Sequence, residues 1–163
     1  RAITQAATPG AAPARQMEPE RFDPHMAERA PLRILVVEDN QVNQIVVRRL
    51  LERFGYTAET AASGAAALER VREQPFDLIL MDMQMPEMDG LEATQAIRTL
   101  EQELAGRVPA TIIACTANAL ETDRIACFQA GMDDYVTKPV QVEELRRVLE
   151  SRPHGTAISP AAA

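Results

Sequence analysis

Five polar side chains, gathered from four separate places in the sequence, come at the ends of short strand-like runs. Glu38 and Asp39 come after "ILVV", Asp82 after "LILM", Thr116 after "TIIAC" and Lys138 after "DYVT". Three carboxylates, a hydroxyl and an amine make a specific chemical set if the chain brings them together. Crowded carboxylates repel and raise one another's pKa unless a cation intervenes. An all-oxygen cluster of few ligands suits Mg2+, which keeps several waters and prefers phosphate company. With that metal in place, one carboxylate can act as a nucleophile and form an acyl phosphate. Phosphoryl transfer asks a protein mainly for positioning and charge neutralisation, which a lysine and a hydroxyl help to provide. No histidine base is needed, because a carboxylate is already deprotonated at pH 7. Asp82, at the mouth of an uncharged run, is the residue expected to receive the phosphoryl group.

The elements that must position this set alternate. "RILVV" (Arg33 to Val37), "TAETA" (Thr57 to Ala61), "DLILM" (Asp77 to Met81), "TIIAC" (Thr111 to Cys115) and "DYVT" (Asp134 to Thr137) read as strands. Helical patterns fall near Gln41 to Phe54, Gly64 to Glu73, Leu91 to Leu100, Leu120 to Ala130 and Val142 to Glu150. Ser63 suits an N-cap, and Gly55 and Gly131 sit where C-terminal caps belong. Five strands alternating with five helices imply an α/β fold, a parallel sheet covered on both faces. "TAETA", the least apolar strand, belongs at an edge. Ligands of such sheets bind beyond the carboxyl ends of the strands, so the five polar groups should converge on one rim. On the first helix, Val46, Leu50 and Phe54 recur at helical spacing and define the expected sheet-facing side, with Ile45 nearly opposite and Val42 towards its flank.

Composition bounds the rest. The 163 residues are 46% hydrophobic and 25% charged, with a formal net charge of −7. This suits one globular domain with unfolded flanks and speaks against a nucleic-acid surface, which needs clustered Lys and Arg. No apolar run approaches the roughly 18 residues of a membrane span, so no membrane contact is expected. Cys115 and Cys127 lie in apolar segments without metal-ligand spacing and read as buried free thiols of a reducing cytoplasm. Residues 1–31 are Ala-rich and broken by prolines, which predicts a flexible linker; 32–150 is the domain, and 151–163 a disordered tail. The chain opens on Arg1 rather than Met, which reads as a piece of something longer.

The motifs "ILVVEDNQVNQ", "DLILMDMQMPEMDG", "ACTAN" and "GMDDYVTKPV" together make Leu32 to Glu150 closely resemble a response-regulator receiver domain. The resemblance implies the flavodoxin-like sheet order 2-1-3-4-5. It implies that Asp82 is the phospho-acceptor and that Asp39 ligates Mg2+ directly. Glu38 would act through water, and the main-chain carbonyl of Gln84 would complete the protein ligands. Thr116 would hydrogen-bond the phosphoryl oxygens, Lys138 would pair with them, and Tyr135 would be an aromatic switch that turns inward on phosphorylation. Lys138-Pro139 would be a cis peptide bond. Glu38 stands where an Asp is more often found. Gln84 and Asn118, two residues beyond the acceptor and the threonine, would flank the path of the attacking water.

The form of these motifs resembles receivers at the C-terminal end of hybrid sensor histidine kinases, with the proline-rich leader as tether. The implied partners are a histidine kinase core in cis, a histidine phosphotransfer domain, or both, meeting the chain at Val42 and Ile45. The implied location is cytoplasmic. The chain carries no ATP-binding Gly-rich region, and His25 and His154 both lie beside proline in the flanks, so it is no kinase by itself. A free-standing regulator is the alternative. A Mg2+-dependent phosphatase with an Asp nucleophile would need a second Asp where Gln84 stands, and a degenerate receiver would not keep the full set of acids with Lys138.

Overall fold

The computed structural model of the protein describes residues 22–118 and 120–151. Five parallel strands form a single sheet in the order β2-β1-β3-β4-β5, comprising β1 (Ile34–Val37), β2 (Ala58–Ala61), β3 (Leu78–Asp82), β4 (Thr111–Thr116) and β5 (Asp134–Thr137). The least apolar strand, β2, is indeed at an edge. Among the described residues there are six helices, namely α1 (Met26–Arg29), α2 (Gln41–Arg53), α3 (Gly64–Glu73), α4 (Gly90–Glu103), α5 (Glu121–Ala130) and α6 (Val142–Ser151).

Alternation along the strands divides the core in two. Leu35, Val37, Ile79, Met81, Ile112 and Ala114 face Ala67 and Val71 of α3, Ala93 and Ile97 of α4 and Cys127 of α5. Ile34, Val36, Leu78, Leu80, Ile113 and Val136 face the other way, towards α2 and α6. A strand covered on both faces must be apolar along its covered length, and this is why β3 ("LILMD") carries no polar residue until its last step.

Three of the helix starts, those of α2, α3 and α4, are fixed by side chains. Asn40 caps α2 by accepting from the Val42 and Asn43 amides at 2.8 and 3.1 Å. Ser63 accepts from the Ala66 amide at 3.1 Å, and Asp89 with Glu92 closes a capping box at the start of α4. Gly90 follows that cap for a steric reason. A Cβ there would lie 2.5 Å from the Asp82 carbonyl oxygen and 2.9 Å from the Met83 Cα, so the absence of a side chain lets α4 begin against the end of β3.

Two expectations need correction. The linker expected over 1–31 does not run to its end, because α1 lies within it and Met26 and Ala30 are buried. Prolines exclude a long helix but leave room for one turn between Pro24 and Pro31. Residues 1–21 lie outside the described residues, as do 152–163 of the expected tail, whose first residue, Ser151, instead closes α6. The sheet-facing side of α2 is Val47, Leu51 and Phe54, all buried, whereas Val46 is 47% exposed. Leu50 is only half-buried at the edge of that cluster. Two apolar stripes one residue apart share Phe54, so periodicity alone could not choose the phase.

Candidate functional site

Strand register brings the expected residues to one rim. Asp82 is the last residue of β3 and pairs with Cys115, while Thr116 ends β4 and pairs with Thr137. Both polar residues thus belong to the strands rather than follow them. The Lys138 amide donates to the Thr116 carbonyl at 2.8 Å, and the Glu38 amide to the Ala61 carbonyl at 3.0 Å, which carries the ladder one step past β5 and β1.

The side chains then meet. Lys138 Nζ donates to Asp82 Oδ1 at 2.8 Å and to Glu38 Oε2 at 2.9 Å. Both acids are almost fully buried, with Glu38 4% and Asp82 3% exposed, while Asp39 is exposed beside them. Glu38, Asp39 and Asp82 each offer a carboxylate oxygen, and these atoms lie within 4.8 Å of one another. Two backbone amides add support: Asn40 donates to Glu38 Oε1 and Gln84 to Asp82 Oδ1, each at 3.1 Å.

Burial pushes the Glu38 carboxyl above its ordinary value; Lys138 and the Asn40 amide pull it back, and Asp82 adds to the rise. For Lys138, burial favours the neutral amine, but hydrogen bonds to Asp82 and Glu38 outweigh it and raise the pKa. The ammonium therefore stays charged at neutral pH. Three carboxylates against one ammonium leave a surplus of two negative charges. All the donors are hard oxygens, so the set fits a divalent cation of the Mg2+ kind.

The outer residues are placed less directly. The Thr116 hydroxyl, at the end of β4, bonds into the loop that follows, donating to the Asn118 carbonyl at 2.7 Å and accepting from the Asn118 amide at 3.0 Å. Tyr135 is half-buried against the core, with the Arg124 guanidinium 5.1 Å from its ring centroid. Lys138-Pro139 is cis, as the resemblance implied. The side chains of Gln84 and Asn118 are exposed at the rim. On α2, Val42 and Ile45 are 66% and 52% exposed, and Val46 joins them.

Sequence reasoning missed Gln44, whose side-chain amide donates to the Glu38 carbonyl at 2.6 Å and ties α2 to the end of β1. It also missed a cleft of about 310 Å3 beside the rim, reaching from Val46 past Asp82 and Cys115 to Lys138 and Pro139. Neither had a signal, since a glutamine one turn into a helix is ordinary and a cleft is a property of packing.

The family model described as the response regulator receiver domain matches residues 34–150. A sensor histidine kinase, GacS of Pseudomonas protegens, is 42% identical over 91% of this chain, which spans 15% of that relative's length. Among solved structures, the receiver domain of a sensor histidine kinase from Pseudomonas aeruginosa, with a magnesium ion coordinated in its active site cleft, is 44% identical. It aligns with a TM-score of 0.66 over 76% of this chain and 98% of that one. A Saccharomyces cerevisiae receiver domain, that of Ssk1 in complex with the histidine phosphotransfer protein Ypd1, is 29% identical, with a TM-score of 0.72 over 78% of this chain and 92% of that one. The matched residues take in all five strands, the acids at their ends and the lysine that joins them, and the chain belongs to the response-regulator receiver domains.

Proposed function

We propose that this receiver domain accepts a phosphoryl group from a phosphohistidine onto Asp82. The observation that carries the reading is the Lys138 ammonium held between Asp82 and Glu38 on the rim, with Asp39 alongside. An Asp82 oxygen attacks phosphorus as the P–N bond to the donor imidazole breaks, and the imidazole leaves with the electron pair of that bond. Glu38, Asp39, Asp82 and the Gln84 carbonyl would hold Mg2+, which when bound supplies charge neutralisation for the phosphoryl oxygens. Lys138 has only to move its ammonium from a carboxylate to a phosphoryl oxygen, and Thr116 to turn its hydroxyl from the Asn118 carbonyl. Tyr135 would follow Thr116 inward as the switch.

The donor is a helical histidine domain, either a kinase core in the same polypeptide or a histidine phosphotransfer domain. The exposed apolar residues Val42 and Ile45 on α2, beside Asp39, support that reading. The parent chain is a hybrid sensor histidine kinase, supported by the likeness to the kinase from P. protegens, and the domain works in the cytoplasm. Among the described residues no helix is long and apolar enough to cross a membrane. Acetyl phosphate labelling with and without Mg2+, followed by mass mapping of the acid-labile phosphate, tests the assignment. Label on Asp82 that depends on the metal supports it, and label elsewhere overturns it.

A further inference from the structure

Residues 22–30 are built onto the domain at its far end. The Phe22 ring centroid lies 5.3 Å from that of Phe54 with the planes inclined at 51°, and the Arg53 guanidinium lies 4.0 Å from the Phe22 centroid. Met26 is 5% exposed within the core cluster that holds Val47, Leu51 and Tyr56. The Ala27 amide donates to the Phe54 carbonyl at 3.3 Å, and the Tyr56 hydroxyl donates to the Ala30 carbonyl at 2.6 Å. Gly55 is fitted to the same segment: its φ is +91°, and a Cβ there would lie 2.5 Å from the Pro24 carbonyl oxygen. Asp23 and Arg29 pair across the outside of the turn.

The place of this attachment matters. Helix α2 starts at its Asn40 cap, next to Asp39, and ends at Phe54 after thirteen residues, so the attachment is roughly 20 Å along the helix from the rim. We propose that residues 22–30 are a clasp that fixes the upstream chain to the pole opposite Asp82. The chain thereby enters the described domain at Phe22, away from the rim, and the rim and the exposed side of α2 stay open to a partner. The clasp also closes an apolar basin of Phe54 and Tyr56. It stands on geometry alone and does not depend on the phosphoryl reading.

The test is a distance measurement on the whole chain. Nitroxides on His25→Cys and Gln41→Cys, both exposed sites, report the span between clasp and rim, while Cys115 and Cys127 are buried. The clasp requires one narrow distribution centred at about 20 Å or beyond, and broadening when Met26→Asp is added. A broad distribution in the parent overturns the proposal, as does an unchanged narrow one in the variant. Amide exchange separates release from unfolding. The Ala27 and Ala30 amides should exchange at least roughly tenfold faster in the variant while β3 amides keep their protection. If β3 loses protection as well, Phe22→Ala replaces Met26→Asp, with the same distributions deciding the outcome.

Discussion

Lys138 Nζ lies 2.8 Å from Asp82 Oδ1, although the two residues are 56 apart in sequence. One ammonium joins the last strand to the middle one, and its second bond, to Glu38, reaches the first. An Asp82→Asn chain keeps that second partner, so its half-buried lysine is not left without a counter-charge.

Asp82→Asn should therefore lose labelling by acetyl phosphate or phosphohistidine by roughly a hundredfold or more while keeping its fold. Labelling rates and a thermal melt, taken side by side, check both halves. Stoichiometric label on the variant would remove Asp82 from the mechanism, and excess chelator should halt transfer to the parent chain.

Phosphoryl lifetime should answer to Gln84 and Asn118. Both side chains are exposed amides at the rim, so replacing them costs little stability and alters chiefly the water near Asp82. Gln84→Ala or Asn118→Ala should change hydrolysis of the acyl phosphate by roughly three- to tenfold and its formation by less. Equal changes in both rates would count against water positioning.

Ile45→Glu puts a charge on the exposed side of α2 without touching the buried Val47, Leu51 and Phe54. Transfer with a partner histidine domain should slow by about tenfold, the equivalent of 1.4 kcal/mol of docking energy. Acetyl phosphate labelling should stay as it was. A parallel fall in both reactions would point to a damaged fold, and no fall in either to a different docking surface.

Tyr56 should give alkaline stability a recognisable slope. Burial pushes its phenol above the ordinary value; nearby Arg29 opposes that and Asp23 adds to it. The unfolded chain releases this proton near pH 10 while the folded chain holds it longer. Its contribution is thus fully present below about pH 10 and is lost as pH rises towards the folded value. Tyr56→Phe should cost about 1 kcal/mol at pH 8, for the bond to Ala30. Urea midpoints of the two chains should draw together between pH 8 and strongly alkaline pH.

What was legible in the sequence follows the strength of each local constraint. Short strand-like runs with an acid, a hydroxyl or a lysine at the end pointed to both the sheet and its candidate rim, most clearly at "LILM", because a strand covered on both faces tolerates nothing polar until it leaves the core. The phase of α2 was not legible, since Val46-Leu50-Phe54 and Val47-Leu51-Phe54 are equally apolar, and only packing against the sheet shows that the second is buried. The clasp was hidden for another reason. Its prolines and alanines have the composition of a linker, and the few residues that hold it, Phe22 and Met26, acquire meaning only against Phe54 and Tyr56. The Thr116 hydroxyl bonded into its own loop is likewise a conformational fact, beyond what residue type can express.

The edge position of β5 has a consequence for biosynthesis. Among the described residues that strand pairs only with β4, it precedes Lys138 directly, and the contact from Lys138 to Glu38 spans 100 residues. Contacts of such separation form late, since the loop entropy they close is the largest. A nascent chain leaves the ribosome acids first and ammonium last, so Glu38, Asp39 and Asp82, once β1 and β3 pair, lack their counter-charge until the final strand docks. Assembly of the acid–ammonium set thus waits on the last strand of the domain.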